Sequence, residues 1–323
     1  MTRSRKIKRN ANKKTSRKQS VKRKVKKLQR KVSRKVSRRK RFPRVVVSLT
    51  TLPSRINGVA RTLRSILNQT LVPDKIYLNL PVRTSKGEKY KIPPNLEKLM
   101  KTHSIIKINR PRKDYGPGTK LYPTLTHEKG PNTRIITIDD DSIYPRKTIK
   151  YLVETSLKRP DDALAYSAWN INTKKFGIED YTELGGPYVN DLTWTWGREC
   201  SPGYMDIIEG WGGALYIRKF FMDGKKDERK KFIEMMTQGP KACFFVDDVW
   251  ISAWLAKKGI HIYIVEKDFL PKHTTKDLNV TLHGSSQVLN RNSECAKFYS
   301  KIFKNIGFQT EACKERIRIR FNL

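Results

Sequence analysis

The sequence predicts an α/β protein built on a mostly parallel, twisted sheet with helices on both faces. Three observations predict it. From Val45 onward, β-branched apolar runs alternate with helical patterns in the order strand, helix, strand, helix, strand, as in parallel sheets with helical crossovers. The runs Val45-Val46-Val47-Ser48-Leu49-Thr50 and Ile135-Ile136-Thr137-Ile138 lack a polar face, as strands buried on both sides do. Finally, two apolar stretches run straight into carboxylates, Asp139-Asp140-Asp141 and Asp247-Asp248. Open α/β sheets bind their ligands just beyond the carboxyl ends of such strands.

Residues 1–43 stand apart from this pattern. The chain has 323 residues with 69 Lys and Arg against 30 Asp and Glu, a net charge of +39. Of those 69 cations, 22 fall in residues 1–41, which hold no acid. Such a segment cannot bury enough apolar surface to offset chain entropy, so a disordered tail over 1–43 and one folded domain over 44–323 are expected. Val21, Val25, Leu28, Val32 and Val36 recur at spacings of three and four, the pattern of a basic helix that forms on an anionic surface. Nucleic acid, a nuclear or nucleolar address, anionic lipid and plain solubilisation all fit it. The remaining chain holds 47 cations against 30 acids, a net of +17, which suits an anionic ligand.

The body opens with a strand at Val45–Thr50, a turn over Thr51-Leu52-Pro53-Ser54-Arg55, and a helix from Gly58 to Gln69. Val59, Leu63, Ile66 and Leu67 share one face of that helix. Lys75 to Leu80 is a second strand, residues 81–94 a loop, Asn95 the cap of a short helix, and Ser104 to Ile108 a third strand. Asp114-Tyr115-Gly116-Pro117-Gly118-Thr119-Lys120 is a tight loop ahead of a helix start. A lysine in a first helical turn suits phosphate, and a plain turn and cap fits equally well. The fourth strand carries the acidic triplet, Pro145 opens a helix through Lys158, and Ala163 to Ala168 is a fifth strand.

Residues 169–205 are long, irregular and aromatic, with Trp169, Phe176, Tyr181, Tyr188, Trp194, Trp196 and Tyr204. That composition fits a functional loop offering rings to sugar faces, or a local core. Glu209-Gly210-Trp211-Gly212-Gly213 reads as a loop that lets backbone approach a ligand while the indole stacks on it, followed by a strand from Ala214 to Arg218. Phe244-Phe245-Val246 reads as a strand entering a helix that starts at the Asp247-Asp248 pair and runs through Lys258. A last strand spans Ile262 to Val265, His273 and His283 lie in the loop beyond it, and a helix covers 293–304.

Cys200, Cys243, Cys295 and Cys313 form no Cys-x-x-Cys, which argues against a zinc site and for free thiols in a reducing compartment. No apolar run approaches the ~18 residues of a membrane span, and no apolar signal core follows the basic first residues. A soluble cytoplasmic protein is therefore expected, with nuclear or membrane-surface association through the tail left open.

Three adjacent carboxylates repel one another unless a cation shares them. On an extended backbone, side chains two apart point the same way. Asp139 and Asp141 are therefore the candidates for one divalent metal or metal-bound phosphate; a solvated acidic turn capping the next helix is the plainer alternative. The Asp247-Asp248 pair is read as a second carboxylate cluster at the start of a helix, or plainly as a helix cap.

Taken in order, Ser48-Leu49-Thr50-Thr51-Leu52-Pro53-Ser54-Arg55, Asp114 to Lys120, Asp139-Asp140-Asp141, Gly210-Trp211-Gly212-Gly213 and Asp247-Asp248 resemble a GT-A-fold, nucleotide-sugar-dependent glycosyltransferase of the broad family 2 type. The resemblance spans about residues 44–270. It implies a GT-A, Rossmann-like fold and metal-dependent transfer of a hexosyl or pentosyl group, with inversion, from a nucleotide-diphosphate donor to the hydroxyl of a glycan or other acceptor. It implies that Thr50 and Arg55 border the nucleotide, that Asp114 and Lys120 contact it, and that Asp140 lies on the donor side. Asp139 and Asp141 would hold Mn²⁺ or Mg²⁺ against the diphosphate, with His273 or His283 as third ligand. Asp248 would be the catalytic base with Asp247 as the alternative, and Trp211 and Gly212 would face the acceptor. Two other readings compete. A nucleic-acid-binding protein explains the tail but neither acidic cluster. A sugar nucleotidyltransferase calls for a Gly-rich, basic loop where this chain has Thr51-Leu52-Pro53-Ser54-Arg55.

Overall fold

The computed structural model describes residues 42–169, 203–265, 271–273 and 286–306. The expected tail, the aromatic stretch 170–202, His283, Cys200 and Cys313 lie outside the described residues.

Eight strands make the main sheet: β1 (Val45–Thr50), β2 (Lys75–Asn79), β3 (Ile106–Asn109), β4 (Arg134–Thr137), β6 (Ala163–Trp169), β7 (Gly203–Met205), β8 (Ile207–Ile217) and β9 (Ile262–Ile264). Their order is β3-β2-β1-β4-β8-β6-β9-β7. The four strands from β3 to β4 are mutually parallel, β6 and β9 are parallel to each other, and β8 and β7 run antiparallel to their neighbours. A two-residue strand β5 (Ser142–Ile143) pairs antiparallel with β10 (Lys272–His273) outside the main sheet. The sheet is thus mostly parallel, α/β and Rossmann-like. Val45 to Leu49 are all buried, and so is every residue of β4. Alternate side chains on a strand point to opposite faces, so both faces of the sheet are covered here. That requirement is why these strands read as unbroken apolar runs.

The helices are α1 (Val59–Leu67), α2 (Pro94–Thr102), α3 (Tyr122–His127), α4 (Thr148–Lys158), α5 (Glu228–Thr237), α6 (Asp247–Lys257), α7 (Ser286–Phe298) and α8 (Ser300–Ile306). α1 buries Val59, Leu63 and Ile66 along one stripe, as its spacing requires. α6 is different. From Val249 to Ala256 every residue is buried, with no polar stripe, which marks a helix enclosed by the fold. Trp250 and Trp254 are almost wholly inaccessible, the Phe232 ring of α5 lies 5.8 and 5.0 Å from them, and Trp254 Nε1 donates to the Phe220 carbonyl at 2.9 Å. Burying side chains of this size contributes about 1.5–3 kcal/mol each, so α6 is anchored firmly, and with it the acids at its first turn.

Several expectations need correction. Phe244-Phe245-Val246 is not a strand: Lys241–Phe245 form a 3₁₀ turn that delivers the chain into α6. A short apolar run does not distinguish the two by pattern. The Gly210–Gly213 stretch is not a loop but the middle of β8. Asn95 does not cap α2; Pro93 is the cap and Pro94 holds the first helical position, where a missing N–H is harmless. α4 starts at Thr148, since the Pro145 carbonyl accepts from the Thr148 backbone N–H and hydroxyl instead of opening the helix itself. The expected helix over 293–304 begins earlier and is broken at Tyr299 into α7 and α8.

The free-thiol expectation fails for two of the four cysteines. Cys243 and Cys295 form a disulfide across 52 residues, with Cα atoms 5.0 Å apart. No linear spacing announces such a pair, because it depends on α7 folding back against the 3₁₀ turn. Among the described residues, no helix is long and apolar enough to cross a membrane.

Candidate functional site

The chain runs outward through β1, β2 and β3, then returns to the other side of β1 as β4. The reversal opens a crevice between the carboxyl ends of β1 and β4, where ligands of open α/β sheets sit. Thr51 and Arg55 follow β1 there, and Asp139-Asp140-Asp141 follow β4. The two chain ends are tied together. The Thr51 hydroxyl and the Arg55 guanidinium both donate to the Asp140 carboxylate, and the Thr62 hydroxyl of α1 donates to the Asp140 carbonyl at 2.8 Å. Asp140 is buried, and burial pushes its carboxyl up to about 6 against the opposing pull of Arg55 and Thr51.

The three carboxylates divide between two cations. Asp140 and Asp141 share Arg55, with Asp141 Oδ2 2.7 Å from its Nη2. Asp139 Oδ1 instead accepts from Lys120 Nζ at 2.9 Å. β4 ends at Thr137, and Asp140 and Asp141 lie in a turn, so the expected extended backbone through Asp141 is absent and strand alternation does not govern which way Asp139 and Asp141 point.

Lys120 is the centre of the site. Its side chain is buried, and its ammonium also lies 3.3 Å from Asp247 Oδ2 at the start of α6. Burial lowers its proton affinity, but Asp139, Asp247 and Asp248 outweigh that, and its pKa stays well above the ordinary lysine value. The loop carrying Lys120 is pressed against the α6 side. A Cβ on Gly116 would stand 2.3 Å from the Phe244 carbonyl, and one on Gly118 would stand 2.5 Å from the Trp250 ring. Gly118–Lys120 form a 3₁₀ turn and α3 begins only at Tyr122, so Lys120 belongs to no helical first turn of the kind expected to bind phosphate.

The β8 strand reaches the same place from the other side. It pairs with β4 from Arg134↔Ile217 to Thr137↔Ala214, then continues past the end of β4 alongside the triplet. Its pairing with β6 steps from Ala165↔Ala214 to Ser167↔Glu209, so Gly210 to Gly213 stand opposite Tyr166 alone. This is an extended bulge, a device that re-aims backbone beside functional sites. Gly213 takes φ +97°, in the region that favours glycine. At Gly210 a Cβ would lie 2.9 Å from Lys120 Nζ and 3.1 Å from Asp248 Oδ1, so any larger residue would push on both charged groups.

Asp248 Oδ1 accepts from the Gly210 N–H at 3.2 Å. Its pKa is raised well above the usual carboxylate range, first by burial and then by the charge of Asp247, with Lys120 opposing. Asp247 is also raised by burial, again against Lys120. A carboxyl held this way is more basic than an exposed one.

The remaining predicted site residues fall as follows. Thr50 closes β1 and its hydroxyl donates to the Asn79 carbonyl at 2.8 Å. Asp114 caps its own loop: Oδ1 accepts from Gly116 N–H at 2.9 Å and Oδ2 from Ser85 N–H at 2.8 Å. Trp211 and Gly212 sit on the bulge, with the Trp211 indole N–H donating to Glu209 Oε2 at 3.2 Å. The His273 backbone pairs with Ser142, directly after the triplet. Three further residues join them. Glu209 is buried and also accepts from the Ser167 hydroxyl. Tyr144 is buried and hydrogen-bonded to both sides of the crevice. No local pattern marks Tyr144 or Ser167; Glu209 shows only as an acid in front of the glycines.

The donor set suits a hard divalent cation. Asp139 and Asp141 offer carboxylate oxygens, with side chains 33% and 14% exposed. Among the described residues, no group of three or more His, Cys, Asp or Glu can hold a metal by itself. Two carboxylates without a full protein cage fit the habit of Mg²⁺-like ions, which take one or two carboxylates and complete their shell with substrate phosphate and water.

No family model matches the chain, and no curated protein matches it. Among solved structures it is similar to the mannosyltransferase PcManGT from Pyrobaculum calidifontis, in complex with GDP-Man and Mn²⁺. The identity is 12%, the alignment covers 82% of this chain and 74% of that one, and the TM-score is 0.44.

Proposed function

We propose that this chain is a GT-A-fold glycosyltransferase that moves a sugar from a nucleoside-diphosphate donor to an acceptor hydroxyl. The observation that carries the reading is the position of Lys120, 2.9 Å from Asp139 and 3.3 Å from Asp247. One cation thereby joins an acidic group at the sheet's switch point to a second, more basic pair at a helix start.

Such a transfer puts negative charge on the departing diphosphate and takes a proton from the attacking hydroxyl. A Mn²⁺ or Mg²⁺ ion held by Asp139 and Asp141 would supply Lewis-acid stabilisation of the diphosphate. Lys120 and Arg55 add fixed positive charge beside it, positioned before the reaction begins. Thr50, Thr51 and the loop from Asp114 border the donor. Asp248 accepts the acceptor's proton, and Asp247 keeps Lys120 in place. The Gly210–Gly213 bulge, with Trp211, forms the acceptor side, and inversion follows if Asp248 is the base.

A hydrolysis and binding screen with UDP- and GDP-sugars, run with Mn²⁺ and again with EDTA, tests this. Metal-dependent donor cleavage, and metal-dependent binding of UDP or GDP that weakens in Asp141→Ala, are the expected results. No binding and no cleavage of any donor in either condition would overturn the reading. The basic tail carries none of these groups. Deleting residues 1–40 is expected to leave turnover intact and to abolish salt-sensitive binding to polyanions; loss of activity in a folded truncated protein would show that the tail takes part.

A further inference from the structure

We propose that Tyr144 is a positioning residue whose hydroxyl locks the donor-side carboxylate Asp139 to the acceptor-side bulge at Trp211. The inference deepens the glycosyltransferase reading and takes its donor and acceptor sides from it.

The geometry is a two-ended strut. The Tyr144 hydroxyl accepts from the Asp139 backbone N–H at 3.0 Å and donates to the Trp211 carbonyl at 2.8 Å. Each bond uses a different capacity of the same oxygen, so one phenol serves both sides. The two segments it joins belong to different parts of the sheet: Asp139 follows the parallel strand β4, and Trp211 lies on the bulge of the antiparallel strand β8. The β4–β8 ladder stops at Thr137↔Ala214. Beyond that point the Tyr144 hydroxyl continues the link between the two chains where their ladder bonds have ended.

The strut is itself held from behind. Tyr144 N–H donates to the Ser65 hydroxyl of α1 at 3.1 Å, and Gln69 Nε2 donates to the Pro145 carbonyl at 2.7 Å while its Oε1 accepts from Ile149 N–H at 3.1 Å. The ring lies 3.8 Å from where a Gly213 Cβ would be. The side chain is buried. A buried hydroxyl with both capacities used fixes its partners more tightly than an exposed one, because no water replaces it when it lets go.

Reaction between two bound molecules depends on their mutual placement, and a shift of about 1 Å can cost about a hundredfold in rate. If the strut holds donor and acceptor sides in register, removing its oxygen harms their alignment more than the affinity for either one.

Tyr144→Phe in the full-length chain removes that one oxygen and keeps the ring. Hydrogen exchange read by mass spectrometry is expected to rise together in peptides covering 138–143 and 209–213, with thermal unfolding lowered but still cooperative. Nucleoside diphosphate affinity with Mn²⁺ should stay within about threefold. Transfer should fall about tenfold to a hundredfold, and the ratio of donor hydrolysis to transfer should rise, because water needs no placement by the bulge. Faster exchange at only one of the two segments, or at neither, would overturn the strut. An unchanged hydrolysis-to-transfer ratio in an enzyme with normal exchange coupling would overturn its role in the reaction. Paired exchange changes in a protein that cleaves no donor would leave the strut standing and sink the glycosyltransferase reading instead.

Discussion

At the β1–β4 end of the site, carboxylates are clasped; at the β8–α6 end, they are shielded. Asp140 is gripped by Thr51 and Arg55, and Arg55 reaches Asp141 as well. Asp248 receives a backbone N–H from Gly210, and burial and the like charge of Asp247 outweigh the opposing Lys120. On the glycosyltransferase reading proposed above, the difference is one of purpose. Charges that must stay put against a phosphate or a cation gain from fixed donors around them. A group that must pick up a proton needs the opposite, an environment that makes its anion less comfortable. Lys120 lies between the two ends and offsets part of the negative charge at the second.

The comparison is broken most severely at Lys120. Lys120→Met leaves half-buried Asp139 and buried Asp247 without their shared cation, and removing one partner of a buried pair costs about 3–5 kcal/mol. Urea unfolding should show a loss of that size, and an unchanged midpoint would mean that the two ends are not joined through this ammonium. Next is Asp248→Asn, which keeps the size of the side chain and removes the acceptor. Single-turnover transfer should drop at least the ~10²-fold typical of a missing general base, with donor binding retained. Asp247→Asn should do less harm; the reverse order would move the base to Asp247, and normal transfer by both would favour a retaining mechanism.

Gly118→Ala sharpens the comparison from the loop side. Its new Cβ would press on the Trp250 ring, a backbone-borne overpacking expected to cost about 1–3 kcal/mol. Thermal unfolding measures it, and a neutral result would show that loop and helix are not in register. The gentlest test is pH. Asp140 carries its proton to about pH 6 in the fold against an ordinary value of 3.8. The folded state therefore binds that proton more tightly than the unfolded chain. Its contribution to stability is complete below about pH 4 and is lost as pH rises through about 6. Acidifying from pH 7 to 5 should thus stabilise the protein, and Asp140→Asn should flatten that slope; identical slopes would place the titration elsewhere.

The clasped end is also the end that the sequence exposes. Val45 to Leu49 and Ile135 to Ile138 are apolar because both sheet faces are covered, and the acids after them begin where that constraint stops. β1, β2, β3, β4, α1 and the start of α6 follow from such local rules. The shielded end depends on contacts between distant segments. Trp211 and its glycines look like a loop because glycine usually marks one, yet in β8 they form a bulge whose shape is set by Lys120 and Asp248. Phe244 and Phe245 have strand composition and a 3₁₀ conformation, in a turn held between the Gly116 loop and α7. Tyr144 carries no signal because its partners are two backbone groups, which every residue possesses.

The Cys243–Cys295 bond also imposes an order in time. Cys243 leaves the ribosome 52 residues before Cys295, about 3–10 seconds at ordinary elongation rates. Through that interval the segment leading to Asp247 has no covalent partner, and its thiol is open to whatever other disulfide or oxidant it meets. The native bond closes only after α7 has come back to cover it. A closed bond is then a stamp applied to finished molecules. Measuring how much of Cys243 and Cys295 remains reduced in newly made protein would report how many chains have assembled the shielded half of the crevice.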